Sequence, residues 1–261
     1  MGFILRWSGN VLDLDVKTRI MGVLNVTPDS FSDGGQYFET LTAIERGITM
    51  DREGADIIDV GGESTRPYSQ KITAKEELDR VIPVIEALGK ELAIPISIDT
   101  CKGEVAQAAL SAGASMINDI SALRFDPDMA SIAAEAGVPV ILMHMKGMPA
   151  TMQKNPTYGD LIPEIFDFLE DAIARSVSAG IKRDLIIVDP GIGFGKTFDH
   201  NLKIIKELSR FAALESPILL GTSNKAFIGH ILGKEAHERD TGTMATVAYG
   251  VINGAHIVRV H

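Results

Sequence analysis

Eight short apolar runs recur along the chain, each ending in polar or turn residues and, for the first seven, followed by helical sequence. They cover residues 20–25, 56–60, 94–98, 115–118, 138–143, 185–188, 218–220 and 256–260. Runs this short and this rich in Ile, Val and Leu read as strands covered on both faces, the pattern of parallel sheets. Helices are predicted over 40–53, 76–91, 103–112, 127–136, 161–179 and 202–211, with helical sequence again from 225 to 254. In the second, Leu78, Val81, Ile82, Ile85 and Leu88 make one stripe that can face a sheet. Parallel neighbours need such crossovers, and eight strand–helix units close most simply into an α/β fold, a (β/α)8 TIM barrel. The alternative, an open doubly wound sheet, would show a reversal point and a nucleotide fingerprint, and neither is visible. Residues 3–7 and 11–15 flank Ser8-Gly9-Asn10 and predict a short N-terminal β-hairpin. The sequence ends at His261 directly after the eighth strand, so the expected barrel has its eighth outer helix absent from this sequence.

The 261 residues match the usual size of one such barrel, about 250 residues. No linker, internal repeat or low-complexity tract divides them, so one domain over 1–261 is expected. With 25 Lys and Arg against 35 Asp and Glu, nothing favours a nucleic-acid or anionic-membrane surface, and an anionic ligand would need a local basic site. One cysteine, Cys101, excludes an internal disulfide. Together with the lack of a leader or an apolar run approaching about 18 residues, it predicts a cytoplasmic protein.

The strand ends carry the chemistry. They are Asn25, Asp59, Asp99, Asn118, Met143-His144, Asp189, Lys225 just past the seventh strand, and Arg259 to His261. A barrel gathers all of these at its C-terminal mouth. The loop 25–35, NVTPDSFSDGG, adds two carboxylates, hydroxyls and Phe31 among glycines. Asp99, Asn118 and Asp189 supply acceptors and an amide suited to the donor edge of an aminopyrimidine ring, and Lys225 could meet a ring carbonyl. Arg66, Arg259, His261 and Asn25 suit an anion, held through a divalent metal with oxygen ligands.

Other chemistries fare worse. The six histidines form no i,i+4 pair and the cysteine has no partner, which disfavours a transition metal. Cys101 lacks a basic neighbour other than Lys102 and reads as a small buried thiol. The stretch 189–197, DPGIGFGKT, misses a P-loop at Pro190 and a dinucleotide fingerprint at Lys196. Its glycines suggest close backbone approach to a flat ligand, with Phe194 alongside.

These segments together resemble the dihydropteroate synthase family of the folate pathway. The resemblance rests on NVTPDSFSDGG (25–35), DVGGESTRP (59–67), SIDT (97–100), INDIS (117–121), MHMKG (143–147), DPGIGFGKT (189–197) and RVH (259–261), in family order. It implies transfer of a pterin-methyl group from 7,8-dihydropterin-6-ylmethyl pyrophosphate to the amine of p-aminobenzoate, by a dissociative route. It further implies that Asp99, Asn118, Asp189 and Lys225 hold the pterin, in a pocket that takes in Ile120, Met143, Phe194 and Gly221. By the same resemblance Asn25 ligates Mg2+, while Thr65, Arg259 and His261 bind pyrophosphate. Phe31, Asp33, Arg66 and Pro67 would complete the p-aminobenzoate site, and Asp33, Arg66, Lys225, Arg259 and His261 would carry the catalytic roles. Members of the family are homodimers through a surface that includes the eighth helix. Two positions depart from the family pattern: Asn224 and Ala226 stand where Arg and Ser usually flank the lysine. A methyltransferase acting on methyl-tetrahydrofolate and a catalytically silent pterin-binding paralogue remain alternatives at this level.

Overall fold

The structure, a computed structural model, describes residues 2–27, 35–64 and 71–261, with the backbone alone for 35–38. Strands β1 (Ile4–Trp7) and β2 (Asn10–Asp13) form the expected antiparallel hairpin, turning through Ser8 and Gly9 at positive φ. Its buried Leu5, Trp7 and Leu12 join the main core. The hairpin sits at the start of the barrel strands: Arg19 donates to the Asp13 carbonyl, and Phe3 packs edge-on against His256.

Alternation then follows: β3 (Arg19–Asn25), α1 (Gly35–Arg52), β4 (Ile57–Gly61), α2 (Ala74–Glu91), β5 (Ile96–Asp99), α3 (Gly103–Ala112), β6 (Met116–Asp119), α4 (Met129–Ala136) and β7 (Val140–Met143). The second half is α5 (Leu161–Ser178), β8 (Ile186–Asp189), α6 (Phe198–Lys206), β9 (Leu219–Leu220), α7 (Ala226–Leu232), α8 (Asp240–Ile252) and β10 (Ile257–Val260). Eight parallel strands lie in the order β8-β7-β6-β5-β4-β3-β10-β9. A parallel bridge between Val188 and Ile218 joins β8 to the segment leading into β9 and closes the barrel.

Several predicted boundaries move for local reasons. Helix α2 begins at Ala74 instead of 76 because Thr73 caps it, accepting from Glu76 N–H while the Glu76 carboxylate accepts from Thr73 N–H. Helix α6 begins at Phe198 instead of 202, capped in the same way by Thr197 and His200, and residues 208–214 wind as a 3-10 helix. The predicted helical run 225–254 is two helices, α7 and α8, separated at Gly233 and by the short 3-10 turn Ala236–Glu238. Helix α8 leaves Met244, Tyr249 and Ile252 exposed. Among the described residues no helix is long and apolar enough to cross a membrane.

Register decides which residues can meet. Asn25, Gly61, Asp99 and Asn118 lie side by side across β3 to β6, Arg259 is opposite Met21, and Met143 is opposite Asp189. Residues side by side share a face, and so do residues two apart on one strand. By that rule Asn25, Asp59, Asp99, Asn118, Met143, Asp189 and Arg259 all point to the same side of the sheet. That side is the interior, because Asp59 bonds to β6 and β10, neither of which neighbours β4. A shift of one residue in any strand would send its polar group outward into the helix layer.

Candidate active site

Asp59 is the hub of the mouth. Fully buried on β4, it accepts through Oδ2 from Asn118 Nδ2 at 2.9 Å and from Arg259 Nε at 2.6 Å. A second guanidinium nitrogen, Arg259 Nη2, donates to Asp99 Oδ2 at 2.6 Å. Arg259 therefore spans two carboxylates. Only two of its five N–H groups are used there, so a side chain that is 22% exposed keeps donors for an anion. Burial pulls the guanidinium down, but Asp59 and Asp99 outweigh it and hold Arg259 above its ordinary range. Burial pushes Asp99 up to about 7 against the pull of Arg259. With its amide N–H given to Asp59, Asn118 presents its carbonyl oxygen for a donor.

Across the mouth, Asp189 ends β8 and turns one oxygen, Oδ1, onto the Gly191 N–H at 2.7 Å. Its other oxygen makes no hydrogen bond among the described residues. Burial raises the Asp189 carboxyl, opposed by that N–H and by the charges of Lys225, Lys196 and Arg259. Lys225 Nζ stands 4.5 Å from the centre of the Phe194 ring. Burial and Arg259 lower Lys225 to about 8, with Asp189 and Asp99 opposing. Ile120, Met143, Met145 and Met152 form a small apolar cluster, with Phe194 and Cys101 packed on it. Unbranched methionines make such a wall adaptable to a flat ring. A Cβ on Gly221 would lie 3.7 Å from that of Arg259, so the glycine keeps space open beside the guanidinium.

Asn25 and His261 both line a cavity of about 420 Å³ that runs down between β3 and α1. The His261 backbone N–H and Nδ1 both approach Ser223 Oγ, at 3.3 and 3.0 Å, which orients the imidazole. Cys101 is half-buried, not the fully buried thiol expected, but burial, with the charge and hydrogen bond of Asp119, holds the thiol well above its ordinary range and leaves it a poor nucleophile. Phe31, Asp33, Thr65, Arg66 and Pro67 lie outside the described residues.

One expectation is narrowed. Two of the three glycines of 189–197, Gly191 and Gly195, approach protein backbone, while Gly193 faces the Lys225 side chain. A Cβ on Gly191 would come within 2.0 Å of the His144 carbonyl oxygen and one on Gly195 within 2.3 Å of that of Lys146, and both have positive φ. They let this loop lie flat on the one that follows β7. Two participants were missed. Asp59 was placed at a strand end without a role, though an acid inside the apolar run 56–60 was the available signal. Lys196 served only to break two motifs, yet among the described residues it is one of the largest fully buried side chains. The departure at Asn224 also has a local cause: its φ is 55°, a left-handed value that Asn tolerates better than most residues.

The model of the family described as "pterin binding enzyme" matches residues 21–261. The chain is 48% identical to the dihydropteroate synthase of Synechocystis sp. over 252 residues, 96% of this chain and 87% of that protein. Its fold matches Xanthomonas albilineans dihydropteroate synthase with 4-aminobenzoic acid at a TM-score of 0.93 and 43% identity, covering 100% of this chain and 93% of that one. The same enzyme in complex with 7,8-dihydropteroate matches at 0.87 and 38% identity, covering 99% and 92%.

Proposed function

The chain belongs to the pterin-binding enzyme family, and from that premise we propose that it works as a dihydropteroate synthase in folate synthesis. It joins 7,8-dihydropterin-6-ylmethyl pyrophosphate to p-aminobenzoate, giving 7,8-dihydropteroate and pyrophosphate. The observation that carries this reading is the convergence of Asp99, Asn118, Asp189, Lys225 and Arg259 on one interior face. Asp189 Oδ2 and the Asn118 carbonyl accept from the donor edge of the pterin. Lys225 donates to its carbonyl. Arg259 and His261, at the rim with Asn25, bind the diphosphate.

In the reaction the bond between the methylene carbon and the pyrophosphate oxygen breaks, and its electron pair leaves with pyrophosphate. The amine of p-aminobenzoate then bonds to the methylene and loses a proton. A dissociative order fits a site with anion partners for the leaving group, carboxylates near the cation and, among the described residues, no available nucleophile. The methyltransferase alternative lacks this need for anion partners at the rim.

Mg2+ fits the donor chemistry. Among the described residues no three His, Cys, Asp or Glu side chains cluster to form a protein cage. Asn25 instead offers a single hard oxygen beside the anion groups, the arrangement for an ion shared with substrate phosphates. Bound there, Mg2+ would neutralise charge on the leaving diphosphate.

Residues 1–261 act as one domain in this proposal, in the cytoplasm. Self-association to a homodimer is supported by the exposed Met244, Tyr249 and Ile252 of α8. Mg2+-dependent pyrophosphate release, measured with and without p-aminobenzoate, together with formation of dihydropteroate in its presence, tests the activity. Pterin binding without turnover would leave the silent-paralogue reading standing.

A further inference from the structure

Lys196 lies beneath the β8–α6 loop at 2% exposure, with no carboxylate in contact. Its Nζ is 2.8 Å from His144 Nδ1, 3.1 Å from the Phe194 carbonyl oxygen and 3.3 Å from that of His144. Three acceptors surround a group that has three N–H bonds only as an ammonium. A neutral imidazole with its proton on Nε2 accepts at Nδ1, and burial, with Lys196 and Arg124, drives His144 down to about 2. The amine also sits directly below Gly191, whose hypothetical Cβ would be 3.3 Å from Nζ. Gly191 is the residue whose N–H holds Asp189.

The surrounding charges explain why a cation would be buried there. Among the described residues the mouth interior holds three carboxylates, Asp59 on β4, Asp99 on β5 and Asp189 on β8. Two cations face them, Arg259 on β10 and Lys225 after β9. Arg259 is engaged by the first two acids and Lys225 packs over the Phe194 ring, so among the described residues no cation contacts Asp189 directly. Burial and Lys225 draw the Lys196 ammonium well below its ordinary range, and the Asp189 carboxylate opposes them. His200 on α6 feels the Lys196 charge from outside.

We infer that Lys196 is a positioning residue: a buried ammonium, held by His144 and two carbonyls, that keeps the Asp189 carboxylate ionised as the acceptor for the pterin. This rests on the pterin-binding reading above. It adds that the loop 189–197 carries its own countercharge, so the acceptor stays competent as pH falls.

The test is calorimetric titration of 6-hydroxymethyl-7,8-dihydropterin between pH 5.5 and 8 into the parent, Lys196→Met, Asp189→Asn and the double variant. The parent profile, which includes Asp99 raised to about 7 and Lys225 lowered to about 8, is the baseline, and the Lys196 effect is read as the difference from it. Lys196→Met should lose affinity progressively as pH falls, approaching about tenfold per pH unit once Asp189 titrates. In the Asp189→Asn background the Lys196 substitution should add little, because its effect runs through that carboxylate. A pH-independent loss in Lys196→Met would reduce Lys196 to a packing residue and overturn the inference. The Lys196 13Cε chemical shift of the unmutated enzyme, assigned by its loss in Lys196→Arg, decides the matter even where Lys196→Met does not fold. An ammonium signal at pH 7 supports the inference, and a neutral amine overturns it. Failure of the parent to bind the pterin would instead count against the proposed function, and the 13Cε reading stands apart from it.

Discussion

The two sides of the mouth are held in different ways. On the side of β4, β5, β6 and β10, side chains hold side chains: Asp59 grips Asn118 and Arg259, and Arg259 grips Asp99. On the side of β8 and β9, backbone holds the side chains. Asp189 is fixed by the Gly191 N–H, Lys196 by two carbonyls and His144, and Lys225 stands over Phe194 without an ion-pair contact. The first side is wired in advance and its groups brace one another. The second leaves Asp189 Oδ2 and Lys225 unspent for a ligand. The fold thus places its structural charges on one side of the site and its recognition charges on the other.

The largest effect should come from the wired side. Asp59→Ala leaves Asn118 without a partner and weakens the hold on Arg259 in a buried setting, where removing one member of a buried pair costs about 3–5 kcal/mol. Urea unfolding should show that loss in stability, together with lost pterin binding. A variant as stable as the parent would erase the distinction between the two sides. Asp189→Asn should do the converse. It exchanges an acceptor for a donor facing the ligand, at about 1–3 kcal/mol, so pterin affinity should fall at least tenfold in calorimetry while the unfolding midpoint barely moves.

The unspent cation gives a pH signature. Lys225 sits lowered from 10.5 to about 8, so its ammonium is lost in the folded protein as pH rises through about 8. Pterin affinity should therefore decline on the alkaline side, by about tenfold at one pH unit above the midpoint. Lys225→Arg should carry the plateau beyond pH 9. The linkage for folding has the opposite sense. Between about 8 and 10.5 the unfolded chain holds this proton and the folded chain does not, so the contribution of Lys225 to stability rises with pH. Ala226→Ser should have the smallest effect. The exposed Ala226 opens α7 directly after Lys225, and a hydroxyl there can add one bond to the p-aminobenzoate carboxylate, lowering its KM severalfold and leaving pterin affinity alone. An unchanged KM would mean that the carboxylate is held elsewhere.

Much of this molecule is determined by the sequence alone. Strand length, branching and the 3.6-residue spacing of the helices follow from local chain physics, so the eight-unit rhythm and the residues at the strand ends could be read directly. Boundaries shifted where a cap or turn took over, as at Thr73, Thr197 and Gly233. What the tertiary structure decided was partnership. That Arg259 would reach Asp59 across 200 positions and Asp99 across 160 depends on barrel closure and strand register, which no local pattern encodes. Gly191 and Gly195 answer to the carbonyls of His144 and Lys146, some 50 residues away, contacts that no local pattern encodes. Lys196 shows the same limit: a lysine in a glycine-rich loop looks solvent-facing until the loop is laid on its neighbour, and burial is a property of that packing, not of the residue.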